Sequence, residues 1–122
     1  MANEPKTIMI NDVEYAPVKN QKVAEKRDGM EYVIIRADRA GVFAGYLESK
    51  DGQSVIIRDC RRLWYWDGAA SISQIAVDGV SKPENCKFPE AVDKAQIDGV
   101  IEVLYATEKA RKSIGCVGVW KN

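Results

Sequence analysis

The 122-residue chain contains no histidine. That removes the most frequent general base, the most frequent metal ligand and the usual partner of a nucleophilic serine or cysteine. Its three cysteines, Cys60, Cys86 and Cys116, are widely spaced, with no Cys-x-x-Cys pair. A zinc site is therefore not expected, and an odd number of thiols suits a reducing compartment. No apolar run is long enough to span a bilayer and no signal-peptide pattern opens the chain, so the sequence reads as a soluble intracellular protein. Formal net charge is zero, with 18 basic and 18 acidic residues. A protein that coats long nucleic acid must neutralise many phosphates, and this one has no excess charge to do so.

Charge is nevertheless concentrated locally. Six of the seven arginines fall between Arg27 and Arg62. No pair of carboxylates stands apart as a general acid and base. Asp51, Asp59, Asp67 and Asp78 occupy places that read as turns or element ends, where aspartate is common. The expectation is a protein that binds, with no catalytic residues, cofactor or metal.

Length and composition fit one domain with one modest core. Residues 7–18, "TIMINDVEYAPV", place apolar residues around Asn11-Asp12, a pair suited to a two-residue hairpin turn. Residues 19–29 are polar and read as a linker or a short exposed helix. Residues 1–30 are thus expected to form a hairpin and linker, and 31–122 the main domain. Within it, residues 32–36, 42–49 and 54–59 read as strands of an antiparallel meander, with Asp51-Gly52 as a hairpin turn and Gly45 as a bulge or close backbone approach. Ser71 and Gln74 have capping-box spacing and Gly79 is a suitable stop, which predicts a helix over 70–78. "SKPENCKFPE" reads as a loop with a short β segment at Lys87-Phe88. Residues 97–104 read as a strand, or a pair broken at Asp98-Gly99, and Thr107 caps a final helix in "TEKARKSI". The predicted class is α+β: a twisted antiparallel sheet with two short helices, preceded by an N-terminal hairpin.

The stretch "RRLWYWDGAASISQIA", residues 61–76, carries the chemistry. If residues 58–66 run on as a regular strand, alternation places Arg58, Cys60, Arg62, Trp64 and Trp66 on one face and Asp59, Arg61, Leu63 and Tyr65 on the other. Guanidinium groups make bidentate bonds to phosphate, and an indole offers a stacking surface worth about 1–3 kcal/mol per base. The N–H groups near Ser71–Ser73 would add an anion site at the helix start, although the Gly-Lys-Ser/Thr signature of an ATP-hydrolysing loop is missing. Strand tryptophans and tyrosines are, however, most often core, with arginine covering their faces. Spacing alone favours packing over a pocket.

"YVIIRADRAGVFAGYL", "CRRLWYWDGAASISQIA", "KPENCKF" and "VIEVLYATEKARKSI" followed by "VW" together resemble a family of small phage proteins of unassigned function, over residues 31–121. The pattern also resembles the phage Thoeris anti-defence proteins, oligomeric sponges that sequester cyclic ADP-ribose isomers, some of them also cyclic di- or trinucleotides, without cleaving them. The resemblance implies a homo-oligomer in the host cytoplasm during infection, with nucleotide pockets between subunits. It implies that Arg61 and Arg62 hold phosphates, that Trp64, Trp66 or Phe88 stacks on adenine, and that Asn85 bonds ribose or base. Arg36, Arg111 and Lys112 would serve a second pocket. Two other classes remain open: a protein–protein inhibitor using "RRLWYW" as a hot spot, and a single-stranded nucleic-acid binder.

Overall fold

A five-stranded main sheet, a two-stranded N-terminal ladder and two α-helices make up the fold. In the computed structural model, residues 8–10, 13–15 and 21–121 are described. Strands β1 (Ile8–Ile10) and β2 (Val13–Tyr15) pair antiparallel with Ile10 opposite Val13; Asn11-Asp12, expected as their turn, lies outside the described residues. The main sheet contains β3 (Glu31–Ala37), β4 (Gly41–Asp51), β5 (Ser54–Arg62), β6 (Val92–Ile97) and β7 (Val100–Tyr105). Its spatial order is β6-β5-β4-β3-β7, antiparallel throughout. Helices α1 (Ile72–Asp78) and α2 (Glu108–Gly115) complete an α+β fold.

The chain passes from β6 to β7 through Asp98-Gly99 alone, yet these strands are the two edges of the sheet. The sheet must therefore curl until its edges meet at that corner. Asp38 N–H donates to Gly99 O (2.8 Å) and Val100 N–H to Gln53 O (2.9 Å), which closes the end. The curl encloses one core of Val33, Ile35, Phe43, Val55, Ile57, Cys60, Ile97 and Val100. The other face packs Ile34, Tyr46, Leu63 and Phe88 against Ile75 of α1 and Ile114 of α2.

Both helices are capped as their sequences direct. Gln74 N–H donates to Ser71 Oγ (3.2 Å), and Gln74 Oε1 accepts from Ala70 N–H (2.7 Å). Thr107 Oγ1 accepts from Ala110 N–H (3.1 Å). Gly79 ends α1 at φ +76°, and a Cβ there would lie 2.2 Å from that of Ser113, so α1 and α2 touch only because this residue has no side chain.

Strand β5 departs from regular alternation. The register skips between Ala44↔Arg61 and Tyr46↔Arg58, so Asp59 and Cys60 bulge opposite Gly45. Asp59 adopts φ +54°, and a Cβ on Gly45 would lie 2.5 Å from Ile57 Cγ2. The bulge expected at Gly45 is there, but its consequence corrects the face assignment. Ile57 and Cys60 share the enclosed core, so Arg58 no longer shares a face with Arg62; it pairs instead with Glu48 (3.0 Å) and Asp93 (3.3 Å). Asp59 sits inside β5, not at an element end.

Residues 22–30, read from sequence as linker, lie against the sheet. Ala24 N–H donates to Ala106 O (2.9 Å) and Glu108 N–H to Lys22 O (3.1 Å). Glu108 Oε1 accepts from Glu25 N–H (3.2 Å). Hydrogen bonding from Arg111, aided by this N–H, holds the Glu108 carboxyl at about 2. No disulfide forms among the described residues. Cys60 and Cys86 are buried and Cys116 is exposed. Burial pushes the Cys60 thiol up to about 11. A water-soluble thiol reagent at pH 8 is expected to label Cys116 alone in the native protein, and all three cysteines after denaturation, counted by mass spectrometry.

Candidate functional site

Arg62 is the last residue of β5, opposite Phe43 of β4. Its guanidinium lies 4.4 Å from the centre of the Phe43 ring, and its Nη1 donates to Ala40 O (2.8 Å). Two contacts thus fix its position, while Nε and Nη2 have no partner among the described residues. The strand ends there, and Trp64 swings into solvent with 64% of its surface exposed. Trp66 is half-buried, packed on the helix-side core. Leu63 between them is core, 2% exposed.

Arg62, Leu63, Trp64 and Trp66 form one wall of a cleft of about 260 Å³; Arg39, Ala40, Gly41 and Val42 form the other. Arg39 was not singled out from the sequence. It stands at the tip of the β3–β4 connection with φ +72°, a conformation uncommon for a residue with a side chain. The hairpin register carries this tip past the end of β5, which sets Arg39 beside Arg62. The only signal in the sequence was the gap between the strands read at 32–36 and 42–49, which Arg39-Ala40-Gly41 fills.

Three larger clefts differ from it in charge, each with a carboxylate in its lining; the smallest of them, about 290 Å³, has Asp59 beside Arg61 and Tyr32. One, about 620 Å³, lies between α1 and α2 and is lined by Lys109, Lys112, Gln74, Ser81 and Asp78, with Lys109 Nζ 3.5 Å from the Asp78 carboxylate. Another, about 520 Å³, holds Arg27 and Arg58 among Asp28, Glu48 and Asp93. The Arg39–Arg62 cleft contains two guanidinium groups, two indoles and no carboxylate among its lining residues. By chemistry, not volume, it is the best seat for an anion with an aromatic ring.

Of the residues implicated from sequence, Arg62, Trp64 and Trp66 are thus brought together. Two others are buried and lie outside this cleft. Phe88 is 0% exposed and belongs to the helix-side core. Arg61 is 8% exposed, and its guanidinium donates to four backbone carbonyls: Pro89 (3.0 Å), Ile114 (2.8 Å), Phe88 (3.1 Å) and Gly118 (3.1 Å). Burial depresses its proton affinity, yet those carbonyls solvate its charge. Arg61 clamps the loop at 88–89, the end of α2 and the C-terminal tail.

The rest lie outside the cleft. Asn85, in a short 3₁₀ turn (Pro83–Asn85), donates from Nδ2 to Asp67 Oδ2 (2.9 Å). Arg36 pairs with Glu102 (3.2 Å) and Arg111 with Glu108. Lys112 lines the α1–α2 cleft instead. The start of α1 is also no part of the site: none of residues 70–74 lines it, and the Ala70 and Gln74 N–H groups are satisfied by the cap.

Residues 30–114 match the profile of a domain of unknown function, DUF6948. The chain belongs to the DUF6948 family. All four residues of the cationic aromatic cleft, Arg39, Arg62, Trp64 and Trp66, fall inside the DUF6948 match, whereas Gly118, one of the carbonyls held by Arg61, lies beyond it. No curated protein and no solved structure matches the chain.

Proposed function

We propose that this DUF6948 protein captures a small nucleotide, without turnover, in the Arg39–Arg62–Trp64–Trp66 cleft. The carrying observation is the pairing of a 64%-exposed indole with a guanidinium fixed on Phe43 and Ala40 O, in a cleft free of carboxylates. Stacking on Trp64 would hold a base, while Arg39 and Arg62 would hold phosphate through charge-assisted bonds. Arg62 is already placed by its contacts, so little rotamer freedom is lost on binding.

The cleft's volume of about 260 Å³ is slightly below the usual range for small-molecule pockets. One chain would cover part of a nucleotide, and a second copy would bury the rest. This supports a homo-oligomer with the ligand between subunits. The cyclic ADP-ribose isomers and cyclic di- and trinucleotides implied by the phage anti-defence resemblance fit this chemistry, since each presents purine faces and phosphates together. Sequestering such signals in the host cytoplasm would need tight binding only.

Thermal-shift screening against these cyclic nucleotides tests the proposal. Saturation at 100 times Kd should stabilise the fold by about 2.7 kcal/mol. No shift with any of them at concentrations far above micromolar would refute it. A steep loss of affinity for single-stranded oligonucleotides with salt and with shortening would identify a polymer binder instead.

Arg39 offers a sharper result. Its left-handed backbone costs about 1–2 kcal/mol relative to glycine. Arg39→Gly is expected to keep or raise the melting temperature while weakening nucleotide binding about tenfold, the loss of one charge-assisted bond. A fall in both would make Arg39 structural.

A further inference from the structure

The two edges of the sheet are protected unequally. Edge strand β6 has the sequence VDKAQI, with Asp93, Lys94 and Gln96 exposed along it. Charged and polar residues of this kind discourage another strand from adding. Edge strand β7 has the sequence VIEVLY; its single charge, Glu102, is taken up by Arg36. Ile101 and Tyr105 are 52% and 51% exposed. Beyond β3, β7 has no second neighbour among the described strands. Just past its end, Val23 bridges to Thr107 and is itself exposed. A long apolar edge left bare is an aggregation hazard unless something covers it.

The chain carries a matching element. Strands β1 and β2 form a two-stranded ladder, with the sequences IMI and VEY. An isolated two-stranded hairpin is at best marginally stable in water and needs a further surface. Residues 16–21 connect β2 to Lys22, which is bonded at the end of β7 through Glu108 N–H. At about 3.3 Å per residue, this connection reaches roughly 23 Å. The six residues of β7 extend about 20 Å. Most of the free edge is therefore within reach of the hairpin, and the tether begins near the end of β7 rather than of β6.

We infer that the N-terminal hairpin docks on the free edge of β7 and extends the sheet by strand addition. Main-chain bonds to β7 supply the attachment, and the apolar residues around Ile101 and Tyr105 supply the contact area. The occupant is the chain's own hairpin; a second copy of β7, paired edge to edge, is the competing occupant.

Amide hydrogen exchange in the full chain tests this inference, with an Ile8→Pro/Ile10→Pro variant as comparison. Proline cannot sit inside a paired strand, so the variant abolishes β1–β2 pairing without touching residues 22–121. In the wild type, the amides of residues 101–105 that do not bond β3 should be protected independently of protein concentration. In the variant they should exchange about tenfold faster, with β4 and β5 unchanged. Fast exchange already in the wild type, or equal protection in the variant, would overturn the inference. Protection that vanishes on dilution would also overturn it and assign the edge to a second copy.

Discussion

Arg61→Ala is expected to unfold the domain more than any other arginine substitution. The variant removes the donor from the carbonyls of Pro89 and Gly118, takes a second donor from those of Phe88 and Ile114, which keep the N–H groups of Trp120 and Val117, and leaves a cavity where a guanidinium was buried at 8% exposure. The four lost charge-assisted bonds, together with the cavity, should cost on the order of 3–5 kcal/mol. Total stability for a domain of this size is about 5–15 kcal/mol. The thermal midpoint by circular dichroism should therefore fall by about 10–20 °C. Arg61→Lys should rescue little, because one ammonium group cannot satisfy carbonyls set around a planar fork. A midpoint within about 2 °C of wild type for Arg61→Ala would show that the clamp carries no weight.

The second large effect is on binding. Trp64→Ala should leave stability within about 0.5 kcal/mol, since the side chain stands in solvent, and should weaken nucleotide binding about 5- to 150-fold, the value of one stacked base. Arg62→Ala should weaken it about 10- to 100-fold, with about 1 kcal/mol of stability lost with its contacts to Phe43 and Ala40. Isothermal titration separates these variants from Arg36→Ala, whose partner is Glu102 and whose affinity should equal that of wild type. Adjacent arginines thus divide into two roles: Arg61 holds the fold and Arg62 faces the ligand.

That division was not visible in the sequence, for a definite reason. Local signals were read well where they act locally. Asp51-Gly52 turns β4 into β5, Ser71 and Gln74 cap α1, and Thr107 caps α2. Gly45 announced a bulge, but not that Asp59 would take up the extra residue and reset which side chains share a face. The strand pair broken at Asp98-Gly99 is there, but most of β6 was not legible because VDKAQI is too polar to look like a strand; pairing with β5 makes it one. The short β segment at Lys87-Phe88 was legible, but the stacking role that the resemblance implied for Phe88 does not fit its burial. That residue is buried through non-local bridges, Tyr65 with Lys87 and Phe88 with Val119, which carry it under Arg61. Arg39 enters the site only because the β3–β4 register brings a turn beside the end of β5. Each of these depends on strand pairing across the sheet, which a short sequence window does not contain.

The most direct measurement isolates Trp64 as the only indole, in a Trp66→Phe/Trp120→Phe variant, and follows its fluorescence during titration with cyclic ADP-ribose isomers and cyclic dinucleotides. A base stacked on Trp64 should quench and blue-shift its emission saturably, at the same midpoint as the thermal shift. A nucleotide that raises the melting temperature while leaving Trp64 emission unchanged would contradict binding at this cleft.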